Sequence, residues 1–192
     1  AIKMEVQRSM PPEEGFLEGI KKLCNKEGIV LIFDECTSGF RETYGGLHLK
    51  YSVNPDMAIF GKALGNGYAI TSIIGKRNIM EAAQTTFISS TFWTERIGPK
   101  AALKTLEIMK EEKSWETITN AGLRIKKGWD NLASSYDLRI KHTGIASLAG
   151  FKFCSPNNVK YKTFITQEML NKGYLASTNC YTCINHTESI IN

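Results

Sequence analysis

Five consecutive apolar residues, Ile29-Val30-Leu31-Ile32-Phe33, run directly into two acids, Asp34-Glu35. So short a β-branched run between helical patterns reads as a strand buried on both faces of a parallel sheet. A carboxylate at its exit is costly unless a positive group pairs with it. On its N-terminal side, Pro11-Pro12-Glu13-Glu14 opens a helix, and Phe16, Leu17, Ile20, Leu23 and Cys24 recur at helical spacing until Lys26-Glu27-Gly28 ends it. Ala1 to Val6 alternates like a strand already under way. Met57 to Phe60 forms another strand ending at Gly61-Lys62, and Ala69 to Ile74 a further one. This alternation is the doubly wound α/β pattern, in which ligands sit beyond the strand ends.

From Gly98-Pro99 the texture changes. Ala101 to Glu112 and Trp115 to Leu132 are amphipathic helices, the second with Ile118, Leu123, Ile125 and Trp129 as core residues. Arg139 to His142 and Ser147 to Phe153 alternate like strands, and Tyr161 to Asn171 is helical and closed by Gly173. The expected division is residues 1–98, half of a large α/β domain, and residues 99–192, a smaller α+β domain that is incomplete. Both ends read as cuts through a longer protein.

Charge and cysteine usage exclude several classes. The 24 basic residues are interleaved with 19 acidic ones, so no basic stripe for nucleic acid forms. No apolar run reaches the ~18 residues of a membrane span. Five cysteines, odd in number and unevenly spread, suit a reducing cytoplasm. Cys180-x-x-Cys183 near His186 resembles half a zinc site, but no second ligand pair stands at metal spacing, and no metal is expected.

Three features carry chemistry. Asp34 could pair with a protonated pyridine nitrogen, ligate a metal or cap a helix. Lys62, in Gly61-Lys62-Ala63-Leu64-Gly65-Asn66-Gly67, follows a strand amid residues that let a planar cofactor approach closely and permit unusual backbone angles. Desolvation there would favour the nucleophilic neutral amine; the plainer alternative is a solvated lysine in a glycine-rich turn. A Walker phosphate loop does not fit the glycine spacing. Ser89-Ser90-Thr91-Phe92-Trp93-Thr94 offers hydroxyls and N–H groups either to a phosphate or to a helix start.

Together these segments resemble a known family. Leu31 to Arg41 is similar to the Asp-Glu segment of class-III aminotransferases and glutamate-1-semialdehyde aminomutases, and Pro55 to Lys62 to their lysine segment, at the family's separation. Thr91-Phe92 followed by Ala101 to Glu107 resembles their threonine loop and its helix, and His186-Thr187-Glu188 extends the likeness towards the end. The resemblance implies fold type I of the enzymes dependent on pyridoxal 5'-phosphate (PLP). It implies Lys62 as the Schiff-base lysine, Asp34 on the pyridine nitrogen, Cys36 under the ring, Thr37 near the cofactor hydroxyl and Thr91 on the phosphate of a neighbouring subunit. A homodimer with shared sites follows, acting on a small-molecule amino donor and a carbonyl acceptor. An aminomutase, a decarboxylase or racemase on the same scaffold, and a non-catalytic truncated fragment are the alternatives, the fragment alone being inactive. Trp93-Thr94-Glu95-Arg96 departs from the family's glycine-asparagine-proline turn, the stretch from Glu5 to Pro11 is short and without the gating glutamate, and no counterpart of the carboxylate-binding arginine is found. The family's N-terminal half has no counterpart here.

Overall fold

The computed structural model describes residues 1–192. Its contacts divide the chain into two compact units, residues 1–7 with 12–114, and residues 8–11 with 115–192. The first unit therefore includes the helix that follows Gly98.

In the first unit, β1 (Ile2–Met4), β2 (Leu31–Asp34), β3 (Met57–Phe60) and β4 (Ser72–Gly75) form one sheet in that order. The pairs β1–β2 and β2–β3 are parallel, whereas β4 closes the edge antiparallel to β3. Helix α1 (Phe16–Glu27) makes the crossover from β1 to β2. It starts later than Pro11-Pro12 suggests, because Gly15 adopts a left-handed φ of 74° that a continuing helix cannot contain. Gly28, at φ 65°, ends it as expected. Leu17 and Cys24 are its buried residues, while Phe16 and Leu23 stay exposed.

The strand Leu31–Asp34 differs from its expected environment. Leu31 and Phe33 are fully buried, but Ile32 and Asp34 on the opposite face are only half-buried. The same alternation holds in β3, where Ala58 and Phe60 are buried and Met57 and Ile59 are not. A run of apolar residues does not distinguish one covered face from two, because periodicity disappears when both faces are apolar. On the covered side Ala58, Phe60 and Leu64 pack with Ala102 of α3 (Ile97–Glu112), and Phe40, Ile70 and Leu106 surround them. Burying a side chain such as Phe60 or Leu64 contributes roughly 1.5–3 kcal/mol. Between β4 and α3 lies the short helix α2 (Arg77–Met80).

The second unit holds most of α4 (Ser114–Ser135), the antiparallel strands β5 (Ile140–Thr143), β6 (Leu148–Phe153) and β7 (Asn179–Tyr181), then α5 (Asn158–Asn171) between β6 and β7, and a last turn α6 (Glu188–Ile191). Ser114, Ile118, Ala121, Gly122 and Ala133 are the buried residues of α4. Leu123 is exposed, since it lies about 100° round from that stripe. Trp129 packs on Phe151 with ring centroids 4.9 Å apart. The Thr182 hydroxyl lies 2.8 Å from the Ile118 carbonyl and 3.0 Å from that of Ser147, joining helix to sheet. No helix is long and apolar enough to cross a membrane.

Candidate active site

The C-terminal ends of β2 and β3 are neighbours because Asp34 pairs in register with Ile59. That register brings the two chemically notable residues, Asp34 and Lys62, to one edge of the sheet. The connection after β2 folds tightly: Glu35 N–H donates to the Ile59 carbonyl at 2.9 Å, and Cys36 N–H donates to Asp34 Oδ1 at 3.1 Å. The next residue, Thr37, receives a hydrogen bond from Lys62 Nζ at 2.7 Å. One short loop, Cys36-Thr37, is thus held by the carboxylate on one side and the amine on the other.

The backbone round Lys62 differs from the expected one in its details. Gly61 is extended, and its role is space: a Cβ there would lie 2.8 Å from Cys36 Sγ and 3.3 Å from Thr71 Cγ2. Positive φ falls on Lys62 itself (43°) and on Asn66 (46°), as well as on Gly67 (102°). A lysine held left-handed carries backbone strain of order 1–3 kcal/mol, a cost that clusters at functional sites. Lys62 is exposed in this chain, so the enclosure expected to desolvate its amine is not present here.

Asp34 is kept ionised. A hydrogen bond from Lys3, and next the Cys36 N–H, hold its carboxyl below the usual carboxylate range against the opposing effect of burial, and the charge of Lys62 adds to this. Lys3 Nζ lies 2.8 Å from Asp34 Oδ2. No local pattern in the sequence gives this partner; only the β1–β2 register, which sets Lys3 beside Ile32, reveals it.

The second acid of the pair has a separate fate. Glu35 is fully buried, and its two oxygens accept from Ser38 Oγ at 2.5 Å, Leu47 N at 2.9 Å, His48 N at 2.9 Å and His48 Nδ1 at 2.8 Å. Burial pushes its carboxyl up, but His48, Ser38 and Leu47 together outweigh that and bring it below the normal range. Gly46 leaves the room for this, since a Cβ there would sit 2.3 Å from His48 Nδ1 and 2.8 Å from Glu35 Oε1. Glu35 is therefore the post on which the loop bearing Cys36 and Thr37 is folded. The adjacent acids alone could have suggested such a split, though not which acid takes which role.

Thr91 lies exposed in a turn, Thr91–Thr94. Of the hydroxyls around it, Ser90 Oγ accepts from Phe92 N at 3.3 Å. The start of α3 is capped by Glu95, whose carboxylate accepts from Ile97 N and, at 3.1 Å, from Gly98 N. Phe87, at 96% exposure, and Ile88, Phe92, Trp93 and Ile97 are all exposed, so they do not cover the core of their own unit. In the second unit, Cys183 Sγ lies 3.2 Å from His186 Nδ1 and Cys180 Sγ 3.7 Å from Nε2. The two sulfurs meet different ring nitrogens and so do not converge on one coordination point.

The class-III aminotransferase profile matches residues 9–189. Among curated proteins, the 3-aminobutyryl-CoA aminotransferase of Cloacimonas acidaminovorans (strain Evry) is 31% identical over 183 residues, covering 92% of this chain and 44% of that protein. The glutamate-1-semialdehyde 2,1-aminomutase of Natranaerobius thermophilus is 30% identical over 182 residues, 87% of this chain and 42% of its own. The chain thus spans less than half the length of these relatives. Among solved structures, FumI of Sphingopyxis sp. MTA144, in its PLP internal aldimine form, superposes with a TM-score of 0.89 at 23% identity over 98% of this chain and 48% of that one. Ornithine aminotransferase of Plasmodium yoelii gives 0.83 at 20% identity, over 100% and 54%. These likenesses establish fold type I, which the resemblance to class-III aminotransferases implied, in about half its extent. With the match running through both units and through the Asp34 and Lys62 segments alike, the chain belongs to the class-III aminotransferase family.

Proposed function

We propose that this protein binds pyridoxal 5'-phosphate at Lys62 and Asp34 and transfers an amino group from a small-molecule amine to a carbonyl acceptor. The observation that carries this reading is the convergence of an amine and an ionised carboxylate on the single loop Cys36-Thr37, through Lys62–Thr37 and Asp34–Cys36. The residues fit the cofactor: a charged carboxylate for the ring nitrogen and a primary amine for the aldehyde carbon, with Gly61 leaving room for Cys36 to sit close beside them.

When bound, the cofactor supplies a conjugated ring that draws electrons from the substrate Cα. Asp34 keeps a proton on the ring nitrogen. Lys62 Nζ would take the proton from Cα and return it to the cofactor's aldehyde-derived carbon, which the amino nitrogen separates from Cα. Thr37 Oγ1 orients Nζ between these positions, and Cys36 packs beneath the ring. Residues 1–98 correspond in this reading to part of the large domain and 99–192 to the small one. Thr91 reaches the cofactor phosphate of a second copy, so that each site in the homodimer draws on two chains; the exposed apolar cluster from Phe87 to Ile97 supports that arrangement. A cytoplasmic setting is part of the proposal, supported by five unpaired cysteines.

A second reading, an aminomutase that returns the amino group to the same molecule, is favoured by the aminomutase relatives at 34% and 30% identity. Borohydride reduction of the full-length protein incubated with the cofactor tests the common core: the label belongs on the Lys62 peptide, and labelling at a different lysine refutes the assignment. Sedimentation tests the assembly. A dimer is expected, with Thr91→Ala weakening cofactor binding at unchanged mass.

A further inference from the structure

Lys3 occupies an unusual position. Its neighbours on the open face of the sheet are Ile32, in register with it, and then Met57 and Ile59. Asp34 lies two residues beyond Ile32 on the same face, and the Lys3 ammonium stands 2.8 Å from its Oδ2. The other oxygen, Oδ1, is already engaged by Cys36 N–H. Both oxygens of the carboxylate assigned to the ring nitrogen are therefore occupied by groups of this chain, one by a backbone donor that is fixed and one by a side chain that is not. The Lys3 side chain is 57% exposed and can turn into water, whereas that of Asp34, at 23%, has less freedom.

We propose that Lys3 is a resident counter-ion for Asp34 that competes with the cofactor's protonated ring nitrogen for Oδ2, and thereby sets how tightly the cofactor is held. This rests on the proposed role of Asp34. Two cations cannot share one oxygen at hydrogen-bond distance without mutual repulsion, so loading the ring displaces the lysine. The lysine gains hydration as it leaves, which keeps the penalty small. An exposed pair of this kind changes an equilibrium by no more than about five-fold.

The test is equilibrium titration of the full chain with pyridoxal 5'-phosphate, followed by protein fluorescence quenching, for the parent, Lys3→Met, Lys3→Gln and Lys3→Arg, with circular dichroism to verify folding. Lys3→Met and Lys3→Gln are expected to bind roughly two- to five-fold more tightly and Lys3→Arg like the parent. In an Asp34→Asn background the gain from Lys3→Met should vanish, which a general packing effect would not do. Unchanged or weaker binding in Lys3→Met and Lys3→Gln overturns the competition, as does a gain that persists without Asp34. Cofactor fixed at Lys62 with no effect of Lys3 overturns this inference alone. No binding in any variant overturns the cofactor reading together with it.

Discussion

On one face of the sheet, Leu31, Phe33, Ala58 and Phe60 of β2 and β3 are buried; on the other, Ile32, Asp34, Met57 and Ile59 are half-buried. The faces are equally apolar in sequence but are used differently. The packed face carries a carboxylate next to it, Glu35, whose hydrogen bonds to Ser38, Leu47 and His48 fold the loop into place. The open face carries Asp34, whose partners are a backbone N–H and a lysine free to move. Two neighbouring acids thus meet different surroundings because the pleat sends consecutive side chains to opposite sides. A buried charge held by four hydrogen bonds is fixed, whereas the half-buried one is paired with a lysine whose side chain is more than half exposed.

That contrast is open to mutation. The largest effect is expected at the strand ends: in the full-length protein, Lys62→Ala should remove all turnover and all borohydride-fixed cofactor, read by mass spectrometry of the digested protein. Retained label would break the link between those strand ends and chemistry. Asp34→Asn comes next, with turnover about 100-fold lower or worse while some cofactor remains bound, because a neutral amide does not hold the ring nitrogen protonated. Near-parental rates in that variant would mean that Asp34 serves only its local turn. Both substitutions should leave the urea unfolding midpoint nearly unchanged.

The reverse is expected on the packed side. Glu35→Gln sets an amide N–H₂ against groups that are already donors, and should destabilise the chain by ~3 kcal/mol in urea unfolding. A loss below ~1 kcal/mol would show that the buried carboxylate is not the loop's anchor. Asp56 gives the smallest of the four effects. Its carboxylate accepts from Leu31 N at 2.9 Å and from Lys21 Nζ at 2.7 Å, with Lys76 Nζ also at 2.7 Å. Burial raises its pKa, but the bonds from Leu31, Lys21 and Lys76 prevail and hold it well below the usual carboxylate range. Asp56→Asn should cost ~1.5 kcal/mol at neutral pH. Because the folded-state values of Asp56 and Glu35 lie below their unfolded values, the stabilisation they give is complete above roughly pH 5 and is lost as pH falls through the depressed values. The parent should therefore lose stability steeply in acid, and Asp56→Asn less so. Parallel pH curves for the two would remove Asp56 from that account.

Much of this was legible in the sequence because the signals were local. The run Ile29 to Phe33, the strand Met57 to Phe60, the stop at Gly28 and the motifs about Asp34 and Lys62 depend on residues adjacent in the chain, where side-chain type and spacing fix the backbone. The late start of α1 was missed because two prolines and two acids are a helix-opening pattern, whereas the left-handed Gly15 that resets it is invisible to spacing. Leu123 was misplaced for a similar reason, since an apolar residue one step off the buried stripe looks like a core residue until the stripe is oriented.

By itself, then, the sequence determined the family and the order of β1 to β6 with α1, α3, α4 and α5, though not α2 or β7, and it singled out Asp34 and Lys62 as candidates. Only the tertiary structure decided that β2 is covered on one face, that Glu35 rather than Asp34 is sealed inside, and that Lys3 ends beside Asp34. Those outcomes depend on strand register and on which face another segment covers. Both are set by contacts between residues about 30 positions apart, such as Lys3 with Ile32, and such contacts leave no periodic trace in either segment alone.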